Sequence, residues 1–361
     1  MDVNAEIYRA LPFWSWNDRL EPERLREQIR QMKEQGIGGF FMHARGGLET
    51  PYMGEEWFEA VRVCIETAKE LGMQAWAYDE NGWPSGFADG RVPQKGEAFQ
   101  QKRMEFREIG DLTPEDRVLG YFRWQDGRCI RQETADGADC AVILIVNRYY
   151  IDALSRECTD EFIRCVHEEY YKRFGDEFGK GLRGFFTDEP QYGRYMIPYT
   201  FALEEEFHRR YGYSALDRLA LLFVDAEGAE SFRYDFYCLV NDMMMHNFME
   251  PIHDWCAAHN CELTGHMMLE DDLYSQMLAT AGVMPAYEYF QFPGIDWLGR
   301  KVDSPLTPKQ LDSAAMQLGK SKKLTETYAC CGWNLSFYEM RWILGWQVVN
   351  GVNVLCPHLE G

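Results

Sequence analysis

The sequence has few positive charges, no long hydrophobic run and no cysteine spacing that suits a metal site. Its 37 Lys and Arg stand against 58 Asp and Glu, which gives a formal net charge of −21. Nucleic acids and anionic membrane surfaces bind to basic faces, so this charge argues against both as partners. It also makes a polyanionic substrate a poor match. No stretch approaches the roughly 18 apolar residues of a membrane span.

The cysteines follow no metal-binding pattern. There are 11, an odd number, and Cys64, Cys165 and Cys238 lie inside apolar runs. Cys330 and Cys331 are adjacent, and no CxxC spacing supports a zinc site. The N-terminus lacks the basic segment and the apolar segment of a signal peptide. We therefore expect reduced, buried thiols in a cytoplasmic protein.

Short apolar runs alternate with amphipathic helical stretches along most of the chain. That order is typical of βα units and predicts a parallel sheet. The predicted strands number eight and lie at residues 9–16, 37–43, 73–78, 182–187, 262–266, 283–289, 323–327 and 352–355. We therefore predict an α/β fold, a (β/α)8 TIM barrel that takes up residues 1–361. An open doubly wound sheet is the competing fold, but no glycine-rich phosphate-binding turn follows a predicted strand.

The βα order breaks after the third predicted strand. Residues 95–150 contain four stretches of strand-like alternation, at 103–109, 118–124, 129–132 and 141–147, with a hairpin turn expected at Asp126 and Gly127. This predicts a small antiparallel β subdomain inserted into the barrel. Helices are predicted at 22–35, 55–71, 159–174, 200–222, 230–259, 308–318 and 337–350. None follows the last strand, so we expect a catalytic barrel that lacks its last helix and is completed by a downstream domain or an oligomer.

Aromatic residues are abundant, at 15% of the chain, with 11 Trp, 20 Tyr and 22 Phe. Branched aliphatic residues fill most barrels of this kind, so we expect few aromatic rings inside. The surplus then predicts aromatic platforms near the loops, where rings stack on the faces of sugars. Ordinary packing is the alternative for any single ring.

Two glutamates follow predicted strands at the end where the active sites of such barrels lie. Glu189 follows the fourth strand and precedes Pro190, and Glu326 ends the seventh strand. Strands four and seven lie on opposite sides of an eight-stranded mouth, so their carboxyl groups can converge across it. Hydrolysis of an acetal needs two carboxyl groups that flank one bond. We therefore predict that Glu189 and Glu326 are the catalytic pair.

Other residues near the strand ends are candidates for binding a sugar. The aromatic candidates, which can stack on sugar faces, are Trp14, Trp16, Trp83, Tyr289 and Trp333. The polar candidates, which can bind hydroxyl groups, are His43, Arg45, Asp79, Glu80, Asp188 and His266. Packing, turn capping and a satisfied buried histidine are the structural alternatives. The acidic run at residues 270–272 lacks the spacing of an EF-hand, so we expect a solvated helix start there.

Six segments carry a family resemblance. They read PFWSWN at 12–17, MKEQGIGGFFM at 32–42, YDENGWPSG at 78–86, TDEP at 187–190, TET at 325–327 with GW at 332–333, and GVN at 351–353. Together they resemble the barrel of α-L-rhamnosidase-like enzymes of glycoside hydrolase family 106. The resemblance implies a (β/α)8 barrel with glutamates after strands four and seven, inversion of stereochemistry, a calcium ion at the sugar and neighbouring β-sandwich domains. Calcium is then a possible cofactor, and no organic cofactor is expected.

Three alternatives stay open beside this O-glycosyl hydrolase acting on an oligosaccharide or glycoside. The first is a retaining, β-galactosidase-like exo-glycosidase with Glu189 as acid/base and Glu326 as nucleophile. Related retaining barrels have Asn directly before the acid/base Glu, whereas this chain has Asp188. The second is a non-catalytic sugar-binding barrel, against which both strand-end glutamates speak. The third is a metal-dependent barrel hydrolase or isomerase, but no HxH pair follows strand one.

Overall fold

The computed structural model describes residues 8–358. Its strands, in chain order, are β1 (Phe13–Trp16), β2 (Gly39–Ala44), β3 (Gln74–Asn81), β4 (Gln100–Glu108), β5 (Arg117–Gln125), β6 (Arg128–Gln132), β7 (Cys140–Ile151), β8 (Leu182–Asp188), β9 (Ile197–Tyr199), β10 (Glu262–His266), β11 (Phe292–Trp297), β12 (Leu324–Thr327) and β13 (Val354–Pro357). Its α-helices are α1 (Pro22–Glu34), α2 (Glu55–Leu71), α3 (Arg156–Cys165), α4 (His167–Phe174), α5 (Leu203–Tyr211), α6 (Ala229–Met244), α7 (Glu250–Ala258), α8 (Leu273–Met277), α9 (Leu306–Gln317) and α10 (Phe337–Val349). Within the described range, no helix is both long and apolar enough to cross a membrane.

The main sheet has eight parallel strands in the order β1-β2-β3-β8-β10-β11-β12-β13. The N–H of Leu11 donates to the carbonyl oxygen of Leu355 at 2.8 Å, so the two edges of the sheet meet. The sheet is therefore a nearly closed barrel, as predicted for an α/β barrel fold. Because the strands run parallel, their carboxyl ends share one face, where the active sites of such barrels lie.

Helix α2 illustrates how the local sequence determines an element. Its buried residues include Trp57, Val61 and Ala68, whose spacing of four and seven residues puts them on one helix face. That face packs into the hydrophobic core between the helices and the barrel. Gly72 then takes a φ of +63°, a left-handed conformation that suits glycine and ends the helix.

The interior of the barrel holds more aromatic rings than expected. Its core is a cluster of Leu11, Phe13, Phe41, Trp76, Tyr78, Phe186, Phe292, Leu324, Val354 and Cys356, of which six are aromatic. The expectation of few rings inside was therefore wrong. The rings pack against one another edge to face, as Phe13 and Phe186 do with 4.7 Å between ring centroids, and such pairs are favourable in a core.

A second, antiparallel sheet has the order β6-β5-β7-β4-β9. Strands β4 to β7 lie within the predicted insertion at 95–150, and β9 joins them from the loop after β8. Asp126 and Gly127, between β5 and β6, have φ values of +52° and +79°. Positive φ at both central residues is what a type I′ hairpin turn requires, and these residues were the predicted turn.

The sixth barrel strand lies later in the chain than predicted. The predicted strand at 283–289 is mostly a 3₁₀ helix, Met284–Glu288, and the strand is β11. Pro285 suits the first turn of a helix. Pro293 has no N–H for the sheet ladder, which weakens the strand pattern of β11. The correction brings Asp296, near the end of β11, to the mouth of the barrel.

Three predicted long helices are interrupted. The predicted helix at 159–174 consists of α3 and α4, which are separated at Val166. The one at 230–259 consists of α6, a π-helical turn at Met245–Met249 and α7. Pro251 has no N–H to donate to the preceding turn, which accounts for the irregular backbone there. The one at 200–222 is α5 followed by a short 3₁₀ helix.

Candidate active site

A cavity of about 390 Å³ opens at the carboxyl ends of the barrel strands. The charged and aromatic side chains that line it are Arg45, Trp83, Asp188, Glu189, Arg194, Glu270, Asp271, Asp296, Lys301, Glu326 and His358. They come from the ends of seven barrel strands and the loops that follow. The structure thus brings five of the predicted site residues together, namely Arg45, Trp83, Asp188, Glu189 and Glu326.

Alternation along the strands points the central polar groups into the barrel. Asp188 lies two residues after Phe186, whose ring belongs to the barrel interior. The residue paired with Asp188 on the neighbouring strand β10 is His266. Asp296 is in turn the ladder partner of Glu326. These groups therefore form a polar layer above the aromatic core.

Glu189 follows β8 directly and has an unusual backbone conformation. Its φ is +47°, a left-handed value that is uncommon for a residue with a side chain. The N–H of Glu189 donates to the carbonyl oxygen of His266 at 3.1 Å, which holds this conformation. Its Oε2 accepts a hydrogen bond from Trp83 Nε1 at 2.6 Å. Burial, followed by the charge of Asp188, raises the pKa of Glu189 to about 8, so this carboxyl group is protonated at neutral pH.

His266 lies between two carboxylates. Its Nε2 is 2.7 Å from Glu326 Oε2 and 3.5 Å from Asp188 Oδ1. Burial opposes a charge on the imidazole and would lower its pKa. The hydrogen bond to Glu326 and the nearby negative charges outweigh burial, and together they raise the pKa of His266 well above its usual value. A positively charged His266 therefore gives Glu326 an ion-pair partner inside the barrel.

Asp188 is fixed by its neighbours. Its Oδ2 accepts a hydrogen bond from Tyr78 Oη at 2.6 Å, and its backbone N–H donates to Ser85 Oγ at 2.8 Å. Burial, followed by the charge of Glu326, raises the pKa of Asp188 to about 6. Asp188 is thus ionised more readily than Glu189, and its charge helps to keep Glu189 protonated.

Three further carboxyl groups line the cavity that the sequence did not predict as site residues, namely Glu270, Asp271 and Asp296. Glu270 accepts hydrogen bonds from the backbone N–H of Asp296 at 2.8 Å and from Tyr287 Oη at 3.2 Å. Burial raises its pKa to about 7. Asp296 Oδ1 is buried and has no hydrogen-bond partner in residues 8–358. Burial and the charge of Glu326 raise the pKa of Asp296 well above its usual range. A correct position for the sixth strand would have revealed Asp296.

The acidic run at residues 270–272 has three separate roles. Asp272 is the N-cap of α8, where its side chain accepts a hydrogen bond from the N–H of Ser275 at 2.9 Å. Asp271 forms an ion pair with Lys301 at 2.9 Å. The expected solvated helix start is therefore correct for Asp272 and wrong for Glu270, which is buried.

Positive side chains border the carboxyl groups. Arg45 Nη2 is 3.3 Å from His358 Nε2, which lies 3.9 Å from Glu326 Oε1. The exposed Arg194 lies over the Trp83 ring, with 5.8 Å from its guanidinium carbon to the ring centroid. The cavity therefore has polar donors beside its acidic groups, an arrangement that suits a polyhydroxylated ligand.

Four of the predicted aromatic platforms do not line this cavity. Trp14 and Trp16 are buried between the barrel and its helices, and Trp16 contacts Trp57 edge to face with 4.9 Å between ring centroids. Tyr289 follows the 3₁₀ helix that replaces the predicted sixth strand and contacts α7. Trp333 is 84% exposed on the loop after β12.

Three predicted polar residues also lie outside it. The ring of His43 is buried and stacks on Phe13, with 4.6 Å between ring centroids. Burial lowers the pKa of His43 well below its usual value, so it is neutral. Asp79 accepts a hydrogen bond from Ser85 Oγ at 2.5 Å. Glu80 accepts hydrogen bonds from four backbone N–H groups, that of Asn81 and three in the loop after β3. Each of these roles is structural.

The described part of the chain offers one group of possible metal ligands. Asp188, His266 and Glu326 each place a ligand atom within 4.8 Å of the others. Calcium takes roughly six to eight oxygen ligands. Here one donor is an imidazole nitrogen, and that nitrogen faces Glu326 at hydrogen-bond distance. These residues do not fit calcium.

No family model and no curated protein matches this chain. The resemblance to glycoside hydrolase family 106 therefore stays a prediction. Among solved structures, the chain is similar to a rhamnosidase from Novosphingobium sp. PP1Y, with a TM-score of 0.72 and 14% sequence identity. The match covers 98% of this chain and 55% of the rhamnosidase chain, so this chain spans about half the length of that protein. At this identity the likeness establishes the fold, an α/β barrel with an antiparallel insertion.

Proposed function

We propose that this protein is a glycoside hydrolase that releases a terminal α-L-rhamnosyl residue from an oligosaccharide or glycoside. Glu189 is the general acid and Glu326 the general base in this proposal. The observation that carries it is the contrast between two carboxyl groups in one cavity. Glu189 is protonated at neutral pH because its pKa is raised to about 8. Glu326 is hydrogen-bonded to a positively charged His266 at 2.7 Å.

The reaction follows from these two states. Glu189 gives its proton to the glycosidic oxygen as the bond from that oxygen to the anomeric carbon breaks, and the leaving group departs as an alcohol. Glu326 takes a proton from a water molecule, whose oxygen forms the new bond to the anomeric carbon. Both carboxyl groups then return to their starting states by exchange with solvent. His266 orients Glu326 and stabilises its negative charge before the proton arrives.

Asp188 stabilises the charge that develops during bond cleavage. The transition state of glycoside hydrolysis resembles an oxocarbenium ion and is positive at the sugar ring. Asp188, whose pKa is raised only to about 6, is ionised at neutral pH, lies in the polar layer around Glu326 and favours such a charge. A low-dielectric, preorganised cavity strengthens this effect. The negative cavity also agrees with a neutral sugar as the group that is cleaved off.

Two independent observations support rhamnose as the terminal sugar. The segments around Trp83, Glu189 and Glu326 resemble the barrel of rhamnosidase-like enzymes. The fold is similar to that of the rhamnosidase from Novosphingobium sp. PP1Y along almost the whole chain. The retaining alternative uses the same two glutamates, so only the stereochemical outcome separates it.

The test is a screen of aryl glycosides with NMR detection of the first-formed anomer. We expect hydrolysis of the α-L-rhamnoside with release of the inverted anomer. Release of the retained anomer would identify Glu326 as a nucleophile. Turnover of a different glycoside would mean that the terminal sugar is not rhamnose, while the proposed hydrolysis would stand. Binding of glycosides without turnover of any would leave a sugar-binding barrel and end the proposal.

A further inference from the structure

A second groove of about 420 Å³ adjoins the active-site cavity. Trp83 and Arg194 line both spaces, so the two share a wall. The insertion contributes Asn147 and Tyr149 from β7 to the groove. The loop after β8 contributes Gln191. The groove is therefore built where the inserted sheet meets the mouth of the barrel.

We propose that this groove binds the first sugar of the leaving group, the one directly attached to the terminal sugar. The inference rests on the proposed glycosidase function. A general acid protonates the leaving oxygen, so the leaving group must lie on the acid's side of the cavity. Glu189 Oε2 accepts its hydrogen bond from Trp83, the wall shared with the groove, at 2.6 Å. Gln191 Nε2 donates to the backbone carbonyl of Glu189 at 3.4 Å. Two residues that line the groove, Trp83 and Gln191, therefore contact Glu189 directly.

The lining of the groove has the chemistry that binds a sugar. Tyr149 is 71% exposed and Trp83 40% exposed, which is unusual for large aromatic side chains. An aromatic face packs against the C–H face of a sugar ring, and amide groups bind hydroxyl groups. The amide of Asn147 lies next to Tyr149, whose N–H donates to Asn147 Oδ1 at 3.1 Å. Arg194 adds further donors at the entrance.

These side chains are held in place before any ligand binds. Asn147 Nδ2 donates to Gln101 Oε1 at 2.8 Å, and Gln101 Nε2 donates to the carbonyl oxygen of Tyr192 at 2.8 Å. Tyr149 Oη accepts a hydrogen bond from Arg148 at 2.9 Å. Side chains that are already ordered lose little conformational entropy on binding, so an exposed but fixed aromatic suits a ligand site. The insertion then has a function, which is to select the leaving group.

The test compares two substrates with the same terminal sugar and the same class of leaving group. One is methyl α-L-rhamnoside, and the other is a disaccharide in which rhamnose is linked to glucose. Both release an alkyl alcohol, so both need the acid, and only the disaccharide fills the groove. We expect the wild-type protein to have a higher kcat/KM for the disaccharide, because binding energy from remote parts of a substrate is used in the transition state.

The variant is Tyr149→Ala, with Tyr149→Phe to restore the ring and Tyr234→Ala as matched control. Tyr234 lies on α6 outside the groove and is also 71% exposed. We expect Tyr149→Ala to lower the ratio of the two kcat/KM values about fivefold to tenfold, which corresponds to roughly 1–1.4 kcal/mol. Tyr149→Phe and Tyr234→Ala should keep the wild-type ratio.

The outcomes separate the two proposals. If the wild-type protein cleaves both substrates and Tyr149→Ala leaves the ratio unchanged, the groove does not hold the leaving group, while the glycosidase function stands. Equal ratios of the two kcat/KM values in Tyr149→Ala and Tyr234→Ala would also mean that the groove does not hold the leaving group. If neither substrate is cleaved by the wild-type protein, the proposed rhamnosidase function fails and the inference fails with it.

Discussion

Strands β3 and β8 are neighbours in the barrel, and an Asp-Glu pair lies at the end of each. The two pairs nevertheless have different surroundings. Glu80, near the end of β3, is fully buried and accepts hydrogen bonds from four backbone N–H groups, three of which belong to the following loop. Glu189, after β8, accepts one side-chain hydrogen bond, from Trp83, and faces the cavity. The same dipeptide thus organises a loop in one place and faces a cavity in the other.

The pKa values alone do not separate the two residues. Burial is the largest cause in both, and it raises the pKa of Glu80 to about 7 and that of Glu189 to about 8. What differs is the use of the oxygens. The Glu80 oxygens are occupied by the backbone, whereas Glu189 opens to the cavity, where the proposed function has it give a proton to the substrate. A perturbed carboxyl group is therefore a candidate acid only where it also opens to a cavity.

The largest effect should come from removing a proton-transfer group in the cavity. We expect Glu189→Gln and Glu326→Gln each to lower kcat/KM for methyl α-L-rhamnoside about 10²–10⁴-fold, because the amide cannot exchange a proton in the same way. The thermal unfolding temperature should change little. Steady-state kinetics and calorimetry measure the two effects. Near wild-type turnover in either variant removes that residue from the catalytic pair.

The opposite pattern is expected at the neighbouring strand. Glu80→Ala leaves backbone N–H groups without an acceptor, each of which costs about 1–3 kcal/mol when buried, so we expect a loss of at least about 3 kcal/mol of stability. Denaturant unfolding measures it. Glu230→Ala, at an exposed position on α6, is the control. Equal stability of the two variants would mean that Glu80 does not hold its loop.

His43 and His266 show the same contrast between a structural side chain and one proposed to act in catalysis, and the expected effect on kcat/KM is smaller. His43 is neutral and packed among rings, whereas His266 is positively charged beside Glu326. We expect His266→Gln to lower kcat/KM about tenfold to a hundredfold, since a hydrogen bond to a charged group is worth about 1.5–3 kcal/mol. The pH dependence should change as well, because the charge next to Glu326 is lost. An unchanged pH profile would leave His266 a purely structural role.

The smallest effect concerns the alkaline limb of the pH profile. A general acid works in its protonated form, so kcat/KM should fall as pH rises through about 8, the pKa of Glu189. The hydrogen bond from Trp83 lowers that pKa, so Trp83→Phe should move the limb to higher pH by less than about one unit. A pH series on both proteins measures the shift. A limb that moves to lower pH contradicts the assignment.

Most of the fold could be predicted from the sequence, because each barrel strand is a short apolar run between helical patterns. The exception is β11, where Pro293 and Gly294 interrupt the strand pattern and the preceding apolar stretch folds as a 3₁₀ helix. Because of this error, Asp296 was not among the predicted site residues. It shows that a strand held by its neighbours in a closed sheet needs little strand preference of its own.

The candidate site could be predicted only in part, because the sequence does not reveal which face of a strand points into the barrel. In β1, both faces are aromatic, with Phe13 inside the barrel and Trp14 and Trp16 packed outward against helices. The prediction that Trp14 and Trp16 lie at the site was therefore wrong, because it assumed that they point to the inner face of the strand. Likewise, nothing in the adjacent acids at 79–80 signals that the loop after β3 folds back over them. Such contacts arise only in the folded chain.

The most direct test of the central claim is the leaving-group dependence of Glu189→Gln. A dinitrophenyl glycoside releases a stable anion and needs no proton, whereas a methyl glycoside needs one. If Glu189 is the acid, Glu189→Gln should cleave dinitrophenyl α-L-rhamnoside within about tenfold of the wild-type rate and methyl α-L-rhamnoside about 10²–10⁴-fold more slowly. Glu326→Gln, which lacks the base, should lose activity on both substrates. Equal losses of Glu189→Gln on the two substrates would contradict the account.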